Sequence, residues 1–98
     1  MAKTAKPRIT THPGDILKHE FMVPLKLSAR AVADALGVPA NRITSIINGS
    51  RDVTADTALR LAAGFGTTPT FWLNLQIQHN LSKAALAFDQ RKITRLAA

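Results

Sequence analysis

Five polar side chains within one short stretch have the chemistry to read nucleic-acid bases. Asn41, Arg42, Thr44, Ser45 and Asn48 share the outer side of a helix whose inner side would be Ile43, Ile46 and Ile47. A guanidinium can donate two parallel hydrogen bonds to guanine, and amides and hydroxyls can donate or accept at base edges. Two flanking pairs could hold phosphate and set the register: Ser28 with Arg30 before the stretch, and Asn48 with Arg51 at its end. No acid stands among the five, which matters beside a phosphate backbone. An ordinary helical hairpin with a polar exposed face would carry the same residue types, so the set has meaning only inside a framework.

The other reactive residue types form no comparable set. The three histidines are His12, His19 and His79. His12 and His19 lie seven apart, on similar faces of a helix, but no third ligand accompanies them, so neither a metal site nor any other cofactor is expected. The chain has no cysteine, which excludes disulfides, thiolate metal sites and thiol catalysis, and fits a reducing cytoplasm. No glycine-rich phosphate loop, nucleophile elbow or pair of catalytic carboxylates is present, so an enzyme is not expected. Phe71 and Trp72 fit a core stripe better than a base-stacking platform.

The elements that must position the polar set are all helices. Pro13 and Asp15 suit the first turn of a helix over about 13–22, with Ile16, Leu17, Phe21 and Met22 on one side and Pro24 near its end. Ser28 caps a second helix with Ala29, Val32, Ala33 and Leu36 inward, and Gly37 stops it. The third helix follows Pro39 and ends at Gly49. Thr54 caps a fourth, with a stripe of Ala55, Ala58, Leu59 and Ala62 widened by Leu61 and Phe65, closed by Gly66. Thr68-Pro69 opens a fifth. No segment alternates with period two. The expectation is an all-α domain of five helices, the second and third meeting at a tight glycine turn as a helix-turn-helix.

The fifth helix carries two apolar stripes where one core needs one. Phe71, Trp72 and Leu75 form the first. Leu73, Ile77, Leu81, Ala84 and Phe88 form the second, which outlasts the first and suggests a self-association surface and a homodimer. The alternative is that the helix ends near Asn80 and the remainder frays or folds back.

Charge adds a further constraint. The 98 residues carry a net +7, with 46% hydrophobic residues, enough for a modest core. Residues 1–8 contribute +3 and residues 81–98 another +3, leaving +1 for the body. This divides the chain into a flexible basic arm (1–11), a helix-turn-helix domain (12–80) and a C-terminal helical extension with a basic tail (81–98). Basic ends attract polyanions such as DNA, but also simply aid solubility. No run of 18 apolar residues suggests a membrane span, and no signal peptide is evident.

The stretch Leu27-Ser28, Val32-Ala33-Asp34, Gly37, Asn48-Gly49 resembles the helix-turn-helix of the phage λ repressor and its relatives. A longer pattern is more specific. It runs through His12-Pro13-Gly14-Asp15-Ile16-Leu17, Phe21-Met22-Val23-Pro24-Leu25, Ile46-Ile47-Asn48-Gly49-Ser50-Arg51, Thr54 to Ala62 and Phe71-Trp72-Leu73-Asn74-Leu75-Gln76. Over residues 12–80 it is similar to HigA-type, VapI-like antitoxins. The resemblance implies a λ-repressor-like fold with a long C-terminal helix, and a homodimer that binds palindromic double-stranded operator DNA. It further implies repression of the protein's own operon and neutralisation of a HigB-type, RelE-like ribonuclease toxin that cleaves messenger RNA.

Two departures qualify those expectations. Glutamines that lead the second and third helices of the λ-type family are replaced by Ala29 and Ala40, so base readout falls to Asn41, Arg42, Thr44 and Ser45. Many such antitoxins are acidic, whereas this chain is +7, which argues against toxin binding by charge masking. Arg51 and Arg60 have a competing role as partners of Asp52 and Asp56; Arg60, four residues after Asp56, reads as a salt bridge. A stand-alone repressor without a toxin, and an inhibitor that binds protein alone, remain open alternatives.

Overall fold

Side-chain caps begin four of the five helices in the structure, a computed structural model that describes residues 9–97. His12 Nδ1 accepts from the Gly14 amide at the start of α1, which spans 13–25. Ser28 Oγ accepts from Ala31 to open α2 (Ala29–Leu36), Thr54 Oγ1 from Thr57 to open α4 (Ala55–Phe65), and Thr68 Oγ1 from Phe71 to open α5 (Pro69–Ala87). Only α3 (Ala40–Ile47), preceded by Pro39, lacks a side-chain cap. Such caps satisfy amides that have no intrahelical partner. Gly37 and Gly66 end α2 and α4 in the left-handed region, at φ 72° and 71°. Among the described residues there are no strands, and no helix is long and apolar enough to cross a membrane.

The first helix differs from expectation at its end. It passes through Pro24 and continues to Leu25, stopping at Lys26 with φ 55°. Proline inside a regular helix would collide with the carbonyl four residues back. Here the turn before it is a π-helix, Leu17–Met22, in which the Val23 amide bonds to the Lys18 carbonyl five residues away. The wider turn makes room for the ring, so the proline does not end the helix.

The core is built from Leu17 and Met22 of α1, Val32, Ala33 and Leu36 of α2, Ile43 and Ile46 of α3, Ala58 and Leu61 of α4 and Trp72 of α5. Each large aliphatic side chain so buried contributes about 1.5–3 kcal/mol. Ile47 is only half-buried at the edge. The stripe of α4 is rotated from the expected one: Thr57, Ala58, Leu61 and Ala62 are buried, whereas Ala55 and Leu59 face outward. The residues at i, i+1, i+4 and i+5 cover the core, and Leu59 lies on the far side of the cylinder.

The ends of the domain also differ. Residues 1–8 of the expected arm lie outside the described residues. Residues 9–11 are not a free arm: the Thr10 amide donates to Ser82 Oγ at 2.9 Å, and the Thr10 carbonyl lies 2.7 Å from His79 Nδ1. The segment is thereby held along α5. That helix runs past Asn80 to Ala87, and a single 3-10 turn, Gln90–Lys92, follows. The radius of gyration, 16.6 Å, exceeds the ~13 Å of a compact domain of about this length, in keeping with the exposure of the last turns of α5 and of the segment that follows it.

Candidate nucleic-acid interface

The α2–α3 pair is fixed from beneath before any polar residue is considered. Ile43 and Ile46 are fully buried, which sets the rotation of α3 about its axis. Gly14 at the start of α1 sits against the Ile46 carbonyl so closely that a Cβ would overlap it. The loop after α3 is tied to α5 by Gln76, itself buried: its Oε1 accepts from the Val53 amide at 2.7 Å and its Nε2 donates to Asn80 at 3.0 Å. Trp72 is fully buried, and its Nε1 donates to Thr67 Oγ1 at 2.7 Å. It packs among Phe21 and Phe71 with ring centroids 5.2 and 5.0 Å away. Trp72 is thus a core residue, as its spacing suggested, and offers no stacking surface.

With α3 fixed, its polar residues lie on the side away from the core. Asn41, Thr44 and Asn48 are exposed, and Arg42 and Ser45 are half-buried along the flanks. Thr44 Oγ1 donates to the Asn41 carbonyl at 3.2 Å, one turn back. Asn48 is the C-cap residue just past the helix, and the chain then turns at Gly49 with φ 79°. Arg51 follows, exposed and without an ion pair among the described residues. Ser28 and Arg30 are exposed at the start of α2. The Ser28 oxygen is occupied as a helix cap, which leaves its hydroxyl proton available to an external acceptor.

Arg42 is the one residue of this set held by an acid. Its Nη1 donates to Asp56 Oδ2 at 3.3 Å. Asp56 also accepts from Arg60 Nε at 2.9 Å, the i to i+4 pair expected from sequence. The Arg42 contact crosses from α3 to α4, and spacing along the chain gave no sign of it. Nor did it foretell that Arg60 reaches the Leu36 carbonyl at 2.8 Å, or that Gln76 holds the loop. A polar residue one turn after Trp72, on the side expected to face the core, was the available signal for Gln76.

The histidines pair differently from their spacing. His12 meets His79, not His19, with ring centroids 4.9 Å apart and edge to face. His12 is buried and its Nε2 has no hydrogen-bond partner. Burial, followed by the charge of His79, holds its pKa below the usual imidazole value, opposed by the charges of Asp52 and Asp15.

The second stripe of α5 is placed on the surface. Leu73 is half-buried against the core, but Ile77, Leu81 and Ala84 are exposed along the projecting turns. Phe88 is exposed too, but it is the first residue past the helix, with extended backbone, so the stripe overran the helix by one residue. In the basic tail, Asp89 caps the 3-10 turn and pairs with Arg91 at 3.1 Å, while Lys83, Lys92 and Arg95 are exposed.

Known proteins are similar to this chain in sequence and fold. The profile of the helix-turn-helix family HTH_3 matches residues 19–72. Virulence-associated protein I of Dichelobacter nodosus is 48% identical over 73 residues, covering 74% of this chain and 68% of that protein. Antitoxin HigA-1 of Vibrio cholerae is 42% identical over 76 residues, covering 78% and 70%. The solved structure of the Pseudomonas aeruginosa antitoxin HigA with higBA promoter DNA superposes with a TM-score of 0.84 at 36% identity, over 94% of this chain and all of that one.

Proposed function

The chain belongs to the helix-turn-helix family HTH_3, a family of DNA-binding proteins and not of enzymes, and from that membership we propose that it is an operator-binding antitoxin. In this reading it binds its own operator as a homodimer, represses its operon and neutralises a HigB-type, RelE-like messenger-RNA-cleaving toxin. The observation that carries the reading is the face of α3: Ile43 and Ile46 locked inward and Asn41, Arg42, Thr44 and Ser45 turned outward with no acid among them. Relatives named as HigA antitoxins, one of them solved on promoter DNA, support it.

The roles follow from position. Arg42 is the candidate for bidentate guanine recognition, and Asn41, Thr44 and Ser45 read or support neighbouring bases. Ser28, Arg30, Asn48 and Arg51 bracket α3 and hold phosphates, which sets register without carrying sequence information. Leu73, Ile77, Leu81, Ala84 and Phe88 form the face that meets a second copy, with Leu73 at its covered end. A two-fold pair would present its two α3 helices to half-sites about one helical turn apart. Arg42→Ala is expected to weaken specific binding by about 1–3 kcal/mol and relax the base preference. A gel shift on the protein's own promoter region tests this, and unchanged affinity would withdraw Arg42 from the readout.

A stand-alone repressor is the second reading, favoured by the net charge of +7, which suits DNA better than a basic ribonuclease. Expression of the whole operon with an affinity tag on this chain separates the two. Co-purification of a small ribonuclease is the expected result; its absence, with no toxin gene adjacent, leaves the repressor.

A further inference from the structure

An acid at the edge of a DNA-reading surface is out of place on electrostatic grounds, because it repels the phosphate backbone. Asp56 is such an acid. Its side chain is 59% exposed in the first turn of α4, beside Arg42. A helix dipole favours a carboxylate there, but would not require it to reach another helix.

The contacts of Asp56 join three elements. Its Oδ2 accepts from Arg42 Nη1 at 3.3 Å and from Arg60 Nε at 2.9 Å. Arg60 is anchored at its other end, where Nη1 donates to the Leu36 carbonyl at 2.8 Å, an acceptor left free by the end of α2. One carboxylate oxygen therefore links α3, α4 and, through Arg60, the turn between α2 and α3.

Clamping and base recognition are compatible. A guanidinium has five N–H donors, and two suffice for guanine. Asp56 engages one of Arg42's donors among the described residues, leaving an edge for DNA. A long surface arginine otherwise samples many rotamers, and ordering it opposes binding.

We propose that Asp56 is a specificity-determining positioning residue, holding the Arg42 guanidinium at the edge of α3 in the orientation that reads a base, with Arg60 fixing Asp56 in turn. The inference rests on Arg42 reading DNA as proposed above. It separates two quantities that a repulsive charge would move together: removing Asp56 leaves general DNA affinity unchanged or raised, yet lowers discrimination at Arg42's base pair.

The test uses the full-length protein and a duplex that it enriches from a random-sequence pool, with every single base-pair substitution measured by fluorescence anisotropy. Arg42→Ala should flatten the preference at one base pair per half-site. Asp56→Asn should weaken discrimination about threefold at that same pair and at no other, as expected for an exposed ion pair, and Asp56→Glu should restore part of it. In an Arg42→Ala background, Asp56→Asn should lower neither discrimination nor affinity further, whereas general structural damage would lower binding in both backgrounds. Unaltered or improved discrimination in Asp56→Asn, or a loss spread over all positions, overturns the proposal while leaving Arg42 as a reader. If Arg42→Ala flattens no position, the assignment of Arg42 fails first and that of Asp56 falls with it.

Discussion

Both ends of α5 carry large apolar residues, but only the first turns bury any of them fully, and Phe71 there is still 38% exposed. Trp72 is fully buried there, and Gln76 has both ends of its amide engaged. Further along, Ile77, Leu81 and Leu86 stand 53%, 65% and 53% exposed. The first half holds the loop after α3 in place, so it belongs to the DNA-reading apparatus proposed for a single chain. The second half is left over once that apparatus is complete. In the proposed function, the contrast separates what one chain would do alone, presenting a rigid reading helix, from what a second copy would add, a second reading helix at a fixed distance.

Breaking the projecting half should have the largest effect on operator binding. Joint Ile77→Asp and Leu81→Asp substitutions place charge on the exposed stripe without touching the core. We expect a monomer by light scattering, thermal unfolding close to that of the parent body, and operator affinity down about a hundredfold through loss of two-site binding. A double variant that stays dimeric would remove the stripe from the interface and erase the contrast. Damage to the packing that braces α3 within one chain should instead appear in stability first. Gly14→Ala sets a Cβ against the Ile46 carbonyl, which belongs to a helix backbone and cannot rotate aside. The expected loss is about 1–3 kcal/mol in denaturant unfolding. Operator affinity should fall as α3 shifts, and an unchanged midpoint would mean that α1 does not brace the reading helix.

The two regions were also unequally legible from sequence. Helix starts and stops were local chemistry: Ser28, Thr54 and Thr68 as caps and Gly37 as a left-handed stop are each decided by a few neighbouring atoms. The outward face of α3 followed from the period of its isoleucines. What escaped depended on contacts between distant segments. Leu59 matched an apolar stripe but faces outward, because the rotation of α4 is fixed by its neighbours and not by its own pattern. Pro24 read as a stop because a π turn is not visible in spacing. Arg42 with Asp56, fourteen residues apart, and His12 with His79 are meetings made by the fold.

The smallest effect concerns that last meeting, which lies where the two halves of α5 join the start of α1. His12 caps α1 through Nδ1, so in its neutral form the ring proton sits on Nε2, buried and unpartnered. Protonation would put a hydrogen on Nδ1, remove the acceptor for the Gly14 amide and add charge beside His79. Burial and His79 lower the folded pKa, so the unfolded chain binds the proton more readily. Stability is then full above the unfolded value of about 6.5 and declines as pH falls below it, levelling off only beneath the folded pKa. Asn accepts the same amide hydrogen bond and does not titrate, and it is a favoured cap. His12→Asn should therefore reduce the difference in melting temperature between pH 7.5 and pH 5.5 without abolishing the fold. If the variant keeps the parent's full pH dependence, the acid sensitivity resides elsewhere, and the junction of α1 with α5 is only a packing contact.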